Sequence, residues 1–151
     1  MTDVNQVSGA IVNAAMKVHS ALGPGLLESA YEDRLLHELR QLRLKVEAQK
    51  TLPAANDEVK KGVAGLSVFC DPDWESVNIR QEPLAYDFGP RLDLLVEDAV
   101  IVELKAVETL LPIHTAQLLS YLKLSGKRVG LLINFNVLHL KDGIQRMVNK
   151  L

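Results

Sequence analysis

A single cysteine, Cys70, stands among 151 residues. It cannot close an internal bridge or ligate a cysteine-based cluster, which excludes a disulfide-stapled scaffold and fits a reducing compartment. Tryptophan is as scarce, and Trp74 reads as a packing residue, since nothing around it supports base stacking. Neither sign of charge dominates: 17 Lys and Arg against 19 Asp and Glu leave a net charge of −2. That excludes a global positive field drawing the protein onto nucleic acid, so any polyanion binding must rest on a local patch or a metal. Long apolar runs are missing too. Val129 to Ile133 falls far short of a membrane span. The opening Met1 to Asn5 has no basic run before an apolar core, so the expectation is no signal peptide and a cytoplasmic location. Also absent are internal repeats, a glycine-rich phosphate loop, zinc-type Cys/His spacing and a nucleophile elbow.

What is present suits one globular domain spanning 1–151, with 48% hydrophobic and 24% charged residues. Val7, Ala10, Ile11, Ala14, Ala15, Val18 and Leu22 recur at helical steps and form one apolar stripe. Gly23-Pro24-Gly25 ends that helix, and a second is predicted from about Leu26 to Leu42, with Leu27, Ala30, Tyr31, Leu35 and Leu39 inward. The period then switches to two over Leu44 to Leu52, a strand with one wet face. Val63 to Phe69 and Val77 to Ile79 are weaker strand candidates among many Gly and Pro breaks. Arg91 to Val96 and Val100 to Ala106 read as a hairpin, and Pro112 starts a helix closed by Gly126. Arg128 to Phe135 reads as a strand covered on both faces. Ile144, Met147, Val148 and Leu151 have helical spacing, so the tail is expected to be a short helix. The fold class is therefore α/β (α+β), a central mixed sheet flanked by helices.

The chemistry concentrates in one stretch. Glu103 and Lys105 lie two apart inside the apolar run Val100 to Ala106, so they share a strand face. Charges in a core-type strand are costly, and two readings stay open: an internal ion pair, or a site. Asp93 sits among leucines in the preceding strand. Here hairpin parity decides. A two-residue loop at Glu97-Asp98 would pair Asp93 with Val102 and send Glu103 to the other face. A three-residue loop or a bulge would set Asp93 opposite Glu103, and two carboxylates could then meet at one cation. Elsewhere, Glu28 reads as a first-turn acid favoured by the helix dipole. Gln117 and Tyr121, four apart, read as a buried polar pair. Arg91, His19 and the cluster Lys123, Lys127 and Arg128 read as an ion-pair partner, a capping residue and a solvated face.

Asp93 with Glu103-Leu104-Lys105 resembles the D…(D/E)-x-K signature of the PD-(D/E)xK nuclease superfamily. Gly25-Leu-Leu-Glu28-Ser-Ala-Tyr31 is similar to the motif that names its GxxExxY branch. The stretches from His19 to Glu32, Glu103 to Glu108, Ala116 to Leu122 and Gly130 to Phe135 resemble that branch as well, over about residues 5–52 and 89–150. The resemblance implies a restriction-endonuclease-like core with acids at one edge of the sheet. It implies Asp93 and Glu103 as ligands of Mg²⁺ or Mn²⁺, the Leu104 carbonyl as a third, and Glu28 as an acid from the first helical region. Lys105 would position water and stabilise developing charge, and Gln117 and Tyr121 match a Q-x-x-x-Y element of exonuclease-like branches.

Against that pattern, about residues 56–88 read as an insertion carrying Asp57, Glu58, Asp71, Asp73, Glu75, Glu82 and Asp87, which would repel a nucleic-acid backbone. The expected function is metal-dependent hydrolysis of phosphodiester bonds in nucleic acid, DNA first. The alternative is a module with this fold that binds nucleic acid or assembles with a partner without turnover. No membrane partner is expected, and a homodimer or larger complex stays open.

Overall fold

Helix α1 (Val4–Leu22) starts where the Asp3 carboxylate accepts the Asn5 N–H at 2.9 Å. It buries Val7, Ile11, Ala14, Ala15 and Val18, the stripe read from the sequence. The structure, a computed structural model, describes residues 3–52 and 90–149. The chain divides into a main unit, Met1–Lys50 with Arg91–Leu151, and a second unit, Thr51–Pro90. Within the second unit the Leu52 N–H donates to the Pro90 carbonyl at 2.8 Å. The strands expected at 63–69 and 77–79, the expected insertion, Cys70 and Trp74 lie outside the described residues.

After α1 the chain turns through Gly23 and Gly25, both with positive φ (68° and 94°), into α2 (Glu28–Gln41). An L-residue resists this conformation, so the glycines fit the corner. Helix α2 buries Tyr31, Leu35 and Leu39. Leu27 departs from expectation: it is the N-cap residue, extended rather than helical, and 78% exposed. Outside the helix it no longer follows the 3.6-residue period that would turn it inward. Lys17 on α1 pairs with Glu38 on α2 at 2.8 Å, tying the two helices side by side.

Tyr31 closes the corner. Its hydroxyl donates to the Gly23 carbonyl at 2.6 Å and accepts the Leu26 N–H at 3.1 Å. Its ring stacks on Phe135 with centroids 4.6 Å apart. Tyr31→Phe keeps the stack and removes both hydrogen bonds that hold the corner. It should lower stability by about 1–2 kcal/mol in chemical denaturation.

The sheet has five strands in the order β1 (Val46–Thr51), β2 (Arg91–Val96), β3 (Val100–Lys105), β4 (Val129–Asn134), β5 (Ile144–Val148). β2–β3 is antiparallel, β3–β4 parallel and β4–β5 antiparallel, so the sheet is mixed as expected. The parallel pair is bridged by α3 (Pro112–Ser125), which opens on Pro112 and closes on Gly126 as predicted. Side chains alternate across the sheet. Leu94, Val96, Val100, Val102, Leu104, Val129, Leu131, Ile133 and Phe135 pack under α1 and α2 in one core. The other face carries Asp93, Ile101, Glu103 and Lys105 and is covered by α3, whose Leu118 lies against Gly130. β1 was expected to alternate dry and wet, but all six residues are half-buried. A strand at the end of the sheet order has neither face fully covered.

The tail corrects the expected helix. Residues Leu140–Gly143 form a 3₁₀ turn, and Ile144–Val148 is a strand paired with β4. A few apolar residues at mixed spacing fit either period, and the unfilled edge of β4 decides in favour of strand. Gly143 sets the entry into β5: a Cβ there would run into the Asn134 backbone carbonyl. Backbone cannot give way as a side chain can, so Gly143→Ala should cost about 3 kcal/mol or more, read as a fall in denaturation midpoint. None of the described helices is long and apolar enough to cross a membrane.

Candidate active site

The hairpin between β2 and β3 has the parity that a shared site needs. Val96 pairs with Val100 across Glu97, Asp98 and Ala99, a three-residue loop. Glu97 and Asp98 both adopt left-handed φ, 53° and 52°, and the Ala99 N–H donates to the Val96 carbonyl at 3.0 Å. From there the register runs through Leu94–Val102. The next position sets Asp93 opposite Glu103.

At that point the two carboxylates take over from the backbone. Glu103 Oε1 accepts the Asp93 N–H at 3.2 Å, and Asp93 Oδ2 accepts the Leu104 N–H at 2.8 Å. The strands are laced by side chain to backbone at the residues that carry the charge. Glu103 is 3% exposed. Burial, and then the facing Asp93 carboxylate, push its pKa up to about 8, with Lys105 offsetting part of the rise. A buried acid opposite a second acid holds a proton unless some other cation replaces it.

Lys105 extends the group along β3. Its Nζ lies 3.5 Å from Gln117 Oε1, a long contact, and Gln117 Nε2 donates to Tyr121 Oη at 2.6 Å. Gln117 and Tyr121 thus do satisfy one another, and the pair reaches from α3 to the β3 lysine. The Tyr121 hydroxyl is held above its ordinary pKa by burial and by the negative field of Glu103. Glu28, in the first turn of α2, is half-buried, and its pKa is raised by burial and then by Asp93. Lys105 acts on it in the opposite direction, so Glu28 lies within the electrostatic reach of both β-strand residues. The Gly25–Tyr31 motif acquires a physical reading: glycine turns the corner, Tyr31 pins it, and Glu28 comes within electrostatic reach of Asp93.

The sequence reading did not anticipate Glu32. One helical turn after Glu28, it accepts from Gln49 Nε2 at 2.6 Å, and burial and Asp93 raise its pKa. Its i+4 spacing from Glu28 was the available signal. Asn134 was also missed. This buried side chain accepts the Val107 N–H at 3.1 Å and donates to the Val107 carbonyl at 2.8 Å, fixing the chain that leaves Lys105 for α3. A polar residue inside the run Leu131 to Phe135 was the sign of it.

Other sequence candidates stand apart. Lys127 pairs with Asp98 at 3.1 Å, beside the hairpin turn, while Lys123 and Arg128 are exposed. That cluster lies at the opposite end of β3 from Lys105, about 16 Å along the strand. Arg91 is exposed and offsets part of the rise at Glu32. His19 is buried, with Nε2 2.7 Å from the Val137 carbonyl. Among the described residues no three His, Cys, Asp or Glu side chains converge closely enough to hold a metal ion alone.

With this geometry in place, a family model described as the PD-(D/E)XK nuclease superfamily matches residues 5–69 and 75–147. The chain belongs to the PD-(D/E)XK nuclease superfamily. No curated protein and no solved structure matches it. The five-strand mixed sheet with its helices is the α/β, restriction-endonuclease-like fold expected of such a nuclease. Membership implies a hydrolytic, nuclease-type activity with nucleic acid as substrate, and PD-(D/E)XK nucleases typically use divalent metals.

Proposed function

We propose that this PD-(D/E)XK chain is a metal-dependent nuclease that hydrolyses phosphodiester bonds in DNA. The observation that carries the proposal is the meeting of Asp93 and Glu103 across the end of the β2–β3 hairpin, with Lys105 on the same strand face. The donor set fits Mg²⁺ or Mn²⁺: hard carboxylate oxygens and a charge excess that raises the proton affinity of Glu103. Asp93 and Glu103 would hold the ion, with Glu28 on α2 adding negative field toward it. The Leu104 N–H points to β2, so its carbonyl, on the same side of the strand, suits a third ligand. Two carboxylates with water and substrate oxygens satisfy Mg²⁺, which agrees with the lack of a larger cluster among the described residues.

When bound, such an ion supplies Lewis acidity toward a phosphate oxygen and activates water. The rest falls to the chain. Lys105 Nζ would orient the attacking water and meet the negative charge that grows on the phosphate oxygens. Gln117, held by Tyr121, would fix where that ammonium points. Asp93 and Glu103 accept backbone N–H groups, so their oxygens are set before any substrate arrives.

Glu103→Gln and Lys105→Ala should each lower DNA cleavage in Mg²⁺ or Mn²⁺ by about 10²-fold or more. Cleavage that survives both substitutions would remove the site. Binding of DNA with no metal-dependent cleavage in wild type would favour the non-hydrolytic module instead.

A further inference from the structure

The parallel strands β3 and β4 end together, at Lys105 and Asn134, and the acidic site stands at that edge of the sheet. A second feature shares the edge. A groove of about 420 Å³ opens between the end of α1 and the chain that follows β4. Its wall is apolar, formed by Met16, Pro24 and Leu138. Its polar groups include the Ser20 hydroxyl, His139 and Lys141, and its lining holds no carboxylate. In a chain with a net charge of −2, that is a local reversal. The corner Gly23 to Leu27 joins the groove to Glu28. Tyr31 hydrogen-bonded to Gly23, and His19 to Val137, brace its floor.

Leu138, on the groove wall, is 82% exposed.

We propose that this groove is a subsite for a nucleotide of single-stranded DNA, at the end of the sheet that carries the acids. The inference rests on the nuclease reading above and names its substrate class. A duplex offers a protein surface mainly its phosphates and sugars, which leave the wall of Met16, Pro24 and Leu138 unmatched. An unpaired strand offers both faces of its chemistry. Its base can lie against Met16, Pro24 and Leu138, and its phosphate can meet Lys141, His139 and Ser20. The volume is within the roughly 300–1,000 Å³ of small-ligand clefts.

The test is fluorescence anisotropy on the full chain in EDTA, where nothing is hydrolysed. The probes are a labelled single strand of about 12 nucleotides, its duplex, and RNA of the same sequence. The single-stranded DNA should bind tightest. Leu138→Asp and Lys141→Glu should each weaken it about tenfold. Both positions are exposed, so the fold should survive, checked by circular dichroism. Leu124→Asp, exposed at the far end of α3, should leave affinity unchanged. Tighter binding of duplex or RNA, or no loss in the Leu138 and Lys141 variants, overturns the subsite. Because no metal is present, cleavage without groove binding would sink this inference alone, and groove binding without cleavage would sink the hydrolase reading alone.

Discussion

Replacing Glu103 with glutamine should make the metal-free protein more stable above about pH 8, while lowering the proposed DNA cleavage by about 10²-fold or more. The Glu103 carboxyl rises from an ordinary 4.5 to about 8 in the folded chain, through burial and the Asp93 charge. A folded-state pKa above the unfolded value means that the native protein holds a proton which the unfolded chain releases. The stability this confers is complete below pH 4.5 and is lost as the pH climbs to about 8. Above that point wild type keeps two repelling carboxylates in a dry place. The neutral amide of Glu103→Gln would keep an oxygen for the Asp93 N–H and offer its own N–H to the Asp93 carboxylate. The expected gain is about 2–4 kcal/mol, or roughly 5–15 °C in melting temperature. Thermal melts of both proteins in EDTA from acid to alkaline pH would show the curves separating as the pH rises. If the glutamine variant is the less stable one at alkaline pH, the two acids do not oppose each other.

Divalent-cation affinity should follow the same proton. A cation and the Glu103 proton compete for one pair of oxygens, so each ion bound below about pH 8 must release a proton. Mn²⁺ titrations by calorimetry should tighten about tenfold per pH unit from pH 6 to 8 and flatten above it. The same titrations in buffers of different ionisation enthalpy should reveal about one proton released per ion. In Glu103→Gln the residual affinity should be weak and lack that slope. A wild-type affinity that ignores pH would place the binding elsewhere.

Much of this was legible in the chain because charge in an apolar strand is a conspicuous cost. Asp93, Glu103 and Lys105 interrupt runs of leucine and valine; Glu103 is buried as the run predicts, and Asp93 and Lys105 are half-buried. The helix pair was legible from its period and from the Gly-Pro-Gly break. The parity of the hairpin was not. Glu97, Asp98 and Ala99 include no glycine, yet two of them take left-handed φ, so loop length could not be counted from residue type. Glu32 and Asn134 stayed hidden for a related reason. An acid on a wet helix and an amide at a strand end are ordinary until the fold brings Asp93 beside one and Val107 beside the other. β5 was misread because Ile144, Met147 and Val148 suit a helix locally, and only the open edge of β4 makes them a strand. The groove at Leu138 belongs to the same class, since its wall comes from segments more than a hundred residues apart.

The central claim is that Asp93 and Glu103 meet to hold a divalent cation. The most direct measurement is the melting temperature with and without Mn²⁺, near pH 8, in wild type and in Asp93→Ala. Any ion that binds the native state alone must raise its melting point. Mn²⁺ should raise the wild-type value by several degrees and leave Asp93→Ala unmoved. No shift in wild type, or an equal shift in both, would contradict the account.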